Sequence, residues 1–473
     1  MNDKAQRDRR DASATAYDWR DAAWMSARAA RNALNAPMSI YQVDLASWRR
    51  LPEDGNRSLT CRELAPLLAD YLQRMNFTHV EFAWDRLPSA GPTAALETLD
   101  TKHETRDTLY IIDTVHQRGI GVVLDFPPSH LHDSEDALSL FDNFHADAVR
   151  ISSLESLLYL EAGHTNEHGG RENLESLAQL RRFNEEVYKK HPDVQTITEE
   201  STAWPMVSRP TYAGGLGFGL KWDVGWAHDT LDYFRKDPIH RRFHHGLLSF
   251  RGLYMFNENY LLPLAQREAA KTSLYDQMPG DDWRKFANLR LLFGYQYSQP
   301  GKKLMFMGDE FGQRAPWNPE QSLDWHLASE PLHAGLQRWV EDLNNFYRSH
   351  PALHADDFSP AGFEWIDAND AENSVLSYLR RGTAPSSANT GRKDGATDEL
   401  VVVCNFTPEP RYNYRIGVPH GGYWRELMNS DATLYAGSGQ GNLGGVDAAP
   451  VPSHGRPSSL VLTLPPLGIV ILG

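Results

Sequence analysis

A chain of 473 residues is too long for one small sandwich and suits a barrel-sized unit with a smaller companion. Hydrophobic residues make up 41% and charged residues 23%, an ordinary globular mix, and a formal net charge of −15 argues against nucleic acid or an anionic membrane as partner. Only two cysteines occur, Cys61 and Cys404, so neither a disulfide framework nor a cysteine metal site is expected, and a cytoplasmic location is. The charged start "MNDKAQRDRRDASATAYDW" has no apolar stretch of the kind a signal peptide needs, and no apolar run is long enough to span a bilayer.

From Ser39 onward, short β-like runs alternate with amphipathic helical ones. The β-like runs start at Ser39 ("SIYQVDL"), His79 ("HVEFAW"), Gly121 ("GVVLDF"), Ala148 ("AVRIS"), Thr196 ("TITEE"), Phe218 ("FGLKWDV"), Tyr260 ("YLLPLA") and Lys303 ("KLMFMGDEF"), with the sixth the weakest. Between them, "CRELAPLLADYLQRM" places Leu64, Leu67, Leu68 and Leu72 on one helix face. "TRDTLYIIDTVHQRG" ends in Gly119, "SLAQLRRFNEEVYKKHP" is closed by Pro192, and "DDWRKFANLRLLFGYQYSQPG" precedes the last run. Eight strands alternating with helices predict a (β/α)8 barrel.

Near Pro351 the pattern turns to strand-like runs between Gly, Pro, Asn and Asp turns: "VLSYLRR", "ELVVVCNF", "RYNYRIGV", "YWRELMN" and "SLVLTLPPLGIVIL". These predict a C-terminal β-sandwich. The polar loop "GTAPSSANTGRKDGATD" interrupts it from Gly382 to Asp398. The expected organisation is an N-terminal arm over 1–37, the barrel over 38–352 and the sandwich over 353–473.

Function in a barrel sits where strands end. Asp125 ends the third run, with His130 shortly after it in "DFPPSH". Arg150 lies near the end of the fourth, and Glu199 and Glu200 close the fifth. Each has a plain structural reading: a loop cap, a hydrogen-bonded loop histidine, solvated edge charge. Their placement at three successive strand ends favours a shared site. No metal or cofactor is expected, since the chain has neither a His-x-x-x-His pair nor an acidic loop of EF-hand type. "GGLGFG" from Gly214 mimics a nucleotide loop but follows no clear strand. The 13 tryptophans suit sugar stacking, although most are expected in the core.

Longer stretches narrow the reading. "APMSIYQVDLASWRR", "GGRENLESLAQLRRFNEEVY", "EESTAWPMVSRPTYAGGLGFGLKWDVGWAHDTLDYFRKDPIHRR", "MPGDDWRKFANLRLLFGYQYSQPGKKLMFMGDEFGQ" and "SLDWHL" together resemble the bacterial glycogen branching enzymes of glycoside hydrolase family 13, from about Tyr17 to the end. That resemblance implies an α-retaining transglycosylase acting on an α-1,4-glucan such as glycogen, with a carboxylate nucleophile and a carboxylic acid on either side of the scissile bond. It places substrate binding on Asp125, His130 and Arg150 and the general acid on Glu199.

The same resemblance exposes departures. The nucleophile position, two after Arg150, is Ser152. The later "SHDE" motif reads "AQRE" from Ala265, so its His position is Gln266 and its stabilising Asp position is Arg267. The loop after the second strand is short and lacks the family's donor-stacking aromatic residues, and "YDWRDAAWMSARAARNALN" resembles only the exit peptide of the family's N-terminal carbohydrate-binding domain. A serine hydroxyl cannot replace a carboxylate nucleophile without a positioned base, and Glu155 would have to swing in from beyond the strand end. Two lost negative charges and one gained positive charge leave Arg150 short of its partner, which predicts an anion such as chloride, phosphate or a sugar phosphate between Arg150 and Arg267. The leading expectation is a branching-enzyme homologue that has lost transglycosylation, a pseudoenzyme in a glucan-binding or regulatory role. The alternatives are an active branching enzyme or weak α-glucan hydrolase using a different carboxylate, and a structural subunit with a vestigial site.

Overall fold

The computed structural model describes residues 17–83, 102–128, 134–202, 204–265, 272–383 and 397–473. Eight parallel strands close into a barrel: β1 (Ser39–Val43), β2 (His79–Ala83), β3 (Gly121–Phe126), β4 (Ala148–Ile151), β5 (Gln195–Thr198), β6 (Leu220–Trp222), β7 (Tyr260–Leu264) and β8 (Lys302–Phe306). Strand β1 pairs with both β2 and β8, which seals the sheet. Every expected strand is present, and the weakest run supplies only three paired residues, β6.

The main helices are α1 (Ala22–Arg31), α2 (Cys61–Arg74), α3 (Lys102–Gln117), α4 (Ser134–Phe144), α5 (Leu174–Lys190), α6 (Val224–Arg235), α7 (Asp282–Ser298) and α8 (Pro331–Ser349). Local chemistry sets their ends. Thr60 and Glu63 form a reciprocal capping box at the start of α2, whose Leu64, Leu68 and Leu72 are buried. Asn173, Asp223 and Asp281 cap α5, α6 and α7 through their side chains. Gly119 follows α3 with φ +75°, a turn that disfavours any Cβ. Between β5 and β6 the described residues form no α-helix, only the 3-10 turn Thr211–Ala213.

Beyond the barrel lie β9 (Phe363–Asp367), β10 (Val375–Thr383), β11 (Thr397–Asn405), β12 (Arg411–Val418), β13 (Gly422–Asn429), β14 (Gly445–Ala448), β15 (Ser458–Leu464) and β16 (Gly468–Leu472). Six of them form one sheet in the order β9-β10-β11-β16-β13-β14, and β12 pairs with β15. The polar loop between β10 and β11 falls, over 384–396, outside the described residues. Strand alternation gives the large sheet two apolar faces. Val401 and Val403 meet Ile416, Leu460 and Leu462 inside the sandwich, whereas Leu400, Val402 and Cys404 join the barrel's core. Helix α7 lies between, and it is buried without a break from Phe286 to Ser298 because it has a sheet on either side. Gly294 allows that approach: a Cβ there would meet Ile469 Cγ2 at 2.5 Å. Both cysteines are free and buried.

The barrel's base holds a buried ionic cluster that ties α1 to the strands. The His116 ring nitrogens face Asp21 Oδ2 and Asp147 Oδ2, each at 2.9 Å, and Trp24 Nε1 donates to Asp147 Oδ1 at 2.8 Å. A ring with carboxylate acceptors on both nitrogens must donate from both, so it is an imidazolium. Burial opposes that charge, but Asp147 and Asp21 outweigh it and push the His116 pKa up to about 9. Asp147 and Asp21 are held below the ordinary carboxylate value: burial would raise them, and the His116 contact lowers them further. The sign follows from linkage. The His116 contribution is whole below about pH 6.5 and is lost as pH rises through about 9. The aspartate contribution is present above about pH 4 and lost as pH falls. Thermal midpoints are therefore expected to fall between pH 7 and 9.5, by a stability loss on the order of 3 kcal/mol, and the His116→Gln variant to lose that alkaline slope. The same slope in the variant would place the titrating group elsewhere.

Candidate active site

Period-two alternation builds the barrel mouth. Val123 and Asp125 share one side of β3, Ala148 and Arg150 one side of β4, and Ile197 and Glu199 one side of β5 and its extension. The first member of each pair packs with Ile40, Leu220, Leu261 and Leu304 into an apolar plug inside the barrel. The second members stand one layer higher, toward the C-terminal ends, and they are charged.

Arg150 is the hub of that layer. Its Nε donates to Glu81 Oε1 at 3.0 Å, its Nη2 lies 2.7 Å from Asp125 Oδ2, and its Nη1 lies 3.5 Å from Glu199 Oε2. The guanidinium lies over the Trp222 ring, 4.6 Å from its centroid. Gln42 Nε2 adds a 2.7 Å hydrogen bond to Glu81 Oε1. Burial alone would lower the Arg150 pKa, but Asp125, Glu81 and Glu199 raise it well above its ordinary value. The anion expectation is corrected here. Arg150 already faces three carboxylates, which would repel an added anion, so it is not an arginine in search of a counter-charge.

Ser152 follows β4, half-buried, and its hydroxyl makes no hydrogen bond with any described residue. Ser153 then takes φ +50° and turns the chain into the short helix Glu155–Leu158. Glu155 is the first residue of that helix and is not among the partners of Arg150. Glu200, next to Glu199, points to the other side of the strand. It binds Lys221 Nζ at 2.9 Å, accepts from Trp204 N at 2.9 Å and also engages Thr202. Burial would raise its pKa, but the Thr202 and Lys221 contacts hold it below the ordinary value. His130, Gln266 and Arg267 lie outside the described residues, as does the short loop after β2 over 84–101. Among the described residues no cluster of three His, Cys, Asp or Glu side chains is arranged to hold a metal, and no helix is long and apolar enough to cross a membrane.

Sequence reasoning missed Glu81. The available signal was its parity with His79: two polar residues on one side of an otherwise apolar strand face the barrel interior or nothing. It also missed a cavity of about 990 Å³ where the helix layer opens between β5 and β6. Trp222 is common to the cavity and the mouth, and Trp204, Phe250, Tyr254, Phe256 and Tyr260 supply aromatic walls. Phe250, Tyr254 and Tyr260 form a chain of rings with centroids 6.0 and 5.9 Å apart.

Comparison with known proteins decides the lineage. The 1,4-alpha-glucan branching enzyme GlgB of Aquifex aeolicus is 48% identical over 96% of this chain and 79% of its own length. The chain belongs to the 1,4-α-glucan branching enzyme family. The enzyme of the same name from Aromatoleum aromaticum is 47% identical over 97% of this chain and 79% of that protein. These branching-enzyme alignments run to 518 and 519 positions, longer than the 473-residue chain, so the relatives carry segments within the match that it lacks. Residues 365–473 match the alpha amylase C-terminal all-beta domain. A crystal structure of AmyP in complex with maltose shares the fold at a TM-score of 0.61 and 12% identity, covering 94% of this chain and 98% of AmyP.

Proposed function

We propose that this branching-enzyme family member binds α-glucan without transferring it. The observation that carries the reading is the state of the mouth around Ser152. The position that the family resemblance assigns to the nucleophile is a hydroxyl with no described partner, and a serine without a positioned base is essentially un-ionised near neutral pH. The neighbouring carboxylates Glu81, Asp125 and Glu199 all face Arg150, and none of them stands at the position that the resemblance assigns to the nucleophile. Arg267 at the position of the stabilising aspartate removes a second anionic group from the same chemistry.

A surface suited to holding sugar remains beside the mouth. The aromatic cavity beside the mouth combines ring faces with Glu200, His228, Asp229 and Asn257, the mix of flat apolar surface and hydrogen-bonding groups that a glucan chain presents in complement. That favours a glucan-binding role over a purely structural one. On a native gel, glycogen in the matrix is expected to retard the protein, and Phe250→Ala is expected to weaken the retardation about tenfold, ~1.4 kcal/mol. Mobility unaffected by glycogen would support the structural subunit instead.

A further inference from the structure

We propose that the base of the barrel carries a second ligand site, a cavity between Arg31 and Arg348 that takes the phosphoryl group of a small organic phosphate. The cavity measures about 260 Å³ and is lined by Trp24, Arg31, Thr78, His79, Gly119 and Arg348, with Ala30, Ala36 and Pro37 as apolar wall. Thr78 and Gly119 precede β2 and β3, so it opens on the N-terminal face, opposite the mouth. The site does not depend on the glucan reading.

Charge makes the case. Acidic residues outnumber Lys and Arg in this chain by 62 to 47, yet among the described residues no Asp or Glu lines the cavity. Arg31 ends α1, where its Nη1 donates to the Gly119 carbonyl at 2.8 Å and its guanidinium lies over Trp24 at 5.0 Å. The side chain of Arg348, in the last turn of α8, is exposed and makes no hydrogen bond or ion pair with any described residue. Desolvation of its inner part and the nearby Arg31 charge hold its pKa below the ordinary value, so two like charges stand at the rim of one cavity. His79 forms part of the lining with its ring engaged at 2.9 Å by both Thr78 Oγ1 and Asn32 Oδ1, and it is neutral near pH 7, since burial brings its pKa down to about 4.

Cations at helix C-termini are favoured by the helix dipole, which accounts for each arginine alone. It does not account for both facing an acid-free cavity. A dianionic phosphoryl group accepting from both guanidiniums would relieve the repulsion with charge-assisted bonds. The volume exceeds that of the phosphoryl group and leaves room, along Ala30, Ala36 and Pro37, for an organic body of about hexose size. The occupant would bridge α1 to α8 and so fasten the arm to the barrel.

The test is thermal unfolding of the whole chain at constant ionic strength, with chloride exchanged for inorganic phosphate or for glucose 1-phosphate. A saturable rise in the midpoint of roughly 2–4 °C is expected, reached at lower concentration with glucose 1-phosphate than with inorganic phosphate. Arg348→Gln should remove the saturable part and leave only the general stabilisation that excluded anions give any protein. Ala30→Glu, which adds a carboxylate to the wall and spares both arginines, should do the same. No saturable rise in the parent, or the same rise in both variants, would overturn the site.

Discussion

Given amylose, the unaltered protein is expected to introduce branches at a rate on the order of 10³ to 10⁶ below that of a chain with an intact nucleophile, equivalent to about 4–8 kcal/mol of barrier. The expectation rests on what Ser152 cannot do. A retaining transfer needs a carboxylate that both attacks the anomeric carbon and stabilises the positive charge developing there. A neutral hydroxyl does neither, and Glu81, Asp125 and Glu199 stand around the Arg150 guanidinium. The companion result concerns restoration. Ser152→Asp puts a carboxylate two residues past Arg150, and the double variant Ser152→Asp/Arg267→Asp also returns the stabilising acid. Branch formation rising in the single variant and further in the double would show a mouth still shaped for glucan. Branches counted after debranching give the readout. No product from either variant would mean that the shortened loop after β2 had removed the donor site as well.

The second large effect is on stability. Arg150→Met should cost about 3–5 kcal/mol, because the substitution strands buried carboxylates without their shared cation. Glu81 is 1% exposed and has no water to turn to. The loss should appear as a lower urea midpoint at pH 7 with an unchanged slope. A variant as stable as the parent at pH 7 would show that the cluster is better hydrated than its burial indicates.

Much of the fold was legible because most strands of the barrel wrote their own signal: a short apolar run, a turn and an amphipathic helix. The least clear strand, around Phe218, was weak for a physical reason. Only Leu220, Lys221 and Trp222 pair there, and the described residues between β5 and β6 form no α-helix to supply periodic contrast. In the mouth, Asp125, Arg150 and Glu199 could be grouped from their places at successive strand ends, and the structure joins them through one guanidinium. Glu81 could not be paired with Arg150 by spacing, because the two are 69 residues apart and meet only because β2 and β4 flank β3. Arg150 is paired despite the charges absent at 152 and 267, because Glu81 reaches it from β2. The base cluster was illegible for the same reason. His116, Asp21 and Asp147 are 95 and 31 residues apart, and nothing local marks them as partners.

The most direct test of a glucan-binding, non-transferring protein is intact-mass spectrometry after incubation with a fluorinated α-glucosyl fluoride, a reagent that halts retaining enzymes at the covalent glycosyl intermediate. The account predicts an unchanged mass for the unaltered protein and a single glycosyl adduct, mapped to residue 152, in Ser152→Asp. An adduct on the unaltered chain at Glu81, Asp125 or Glu155 would identify a working nucleophile and contradict it.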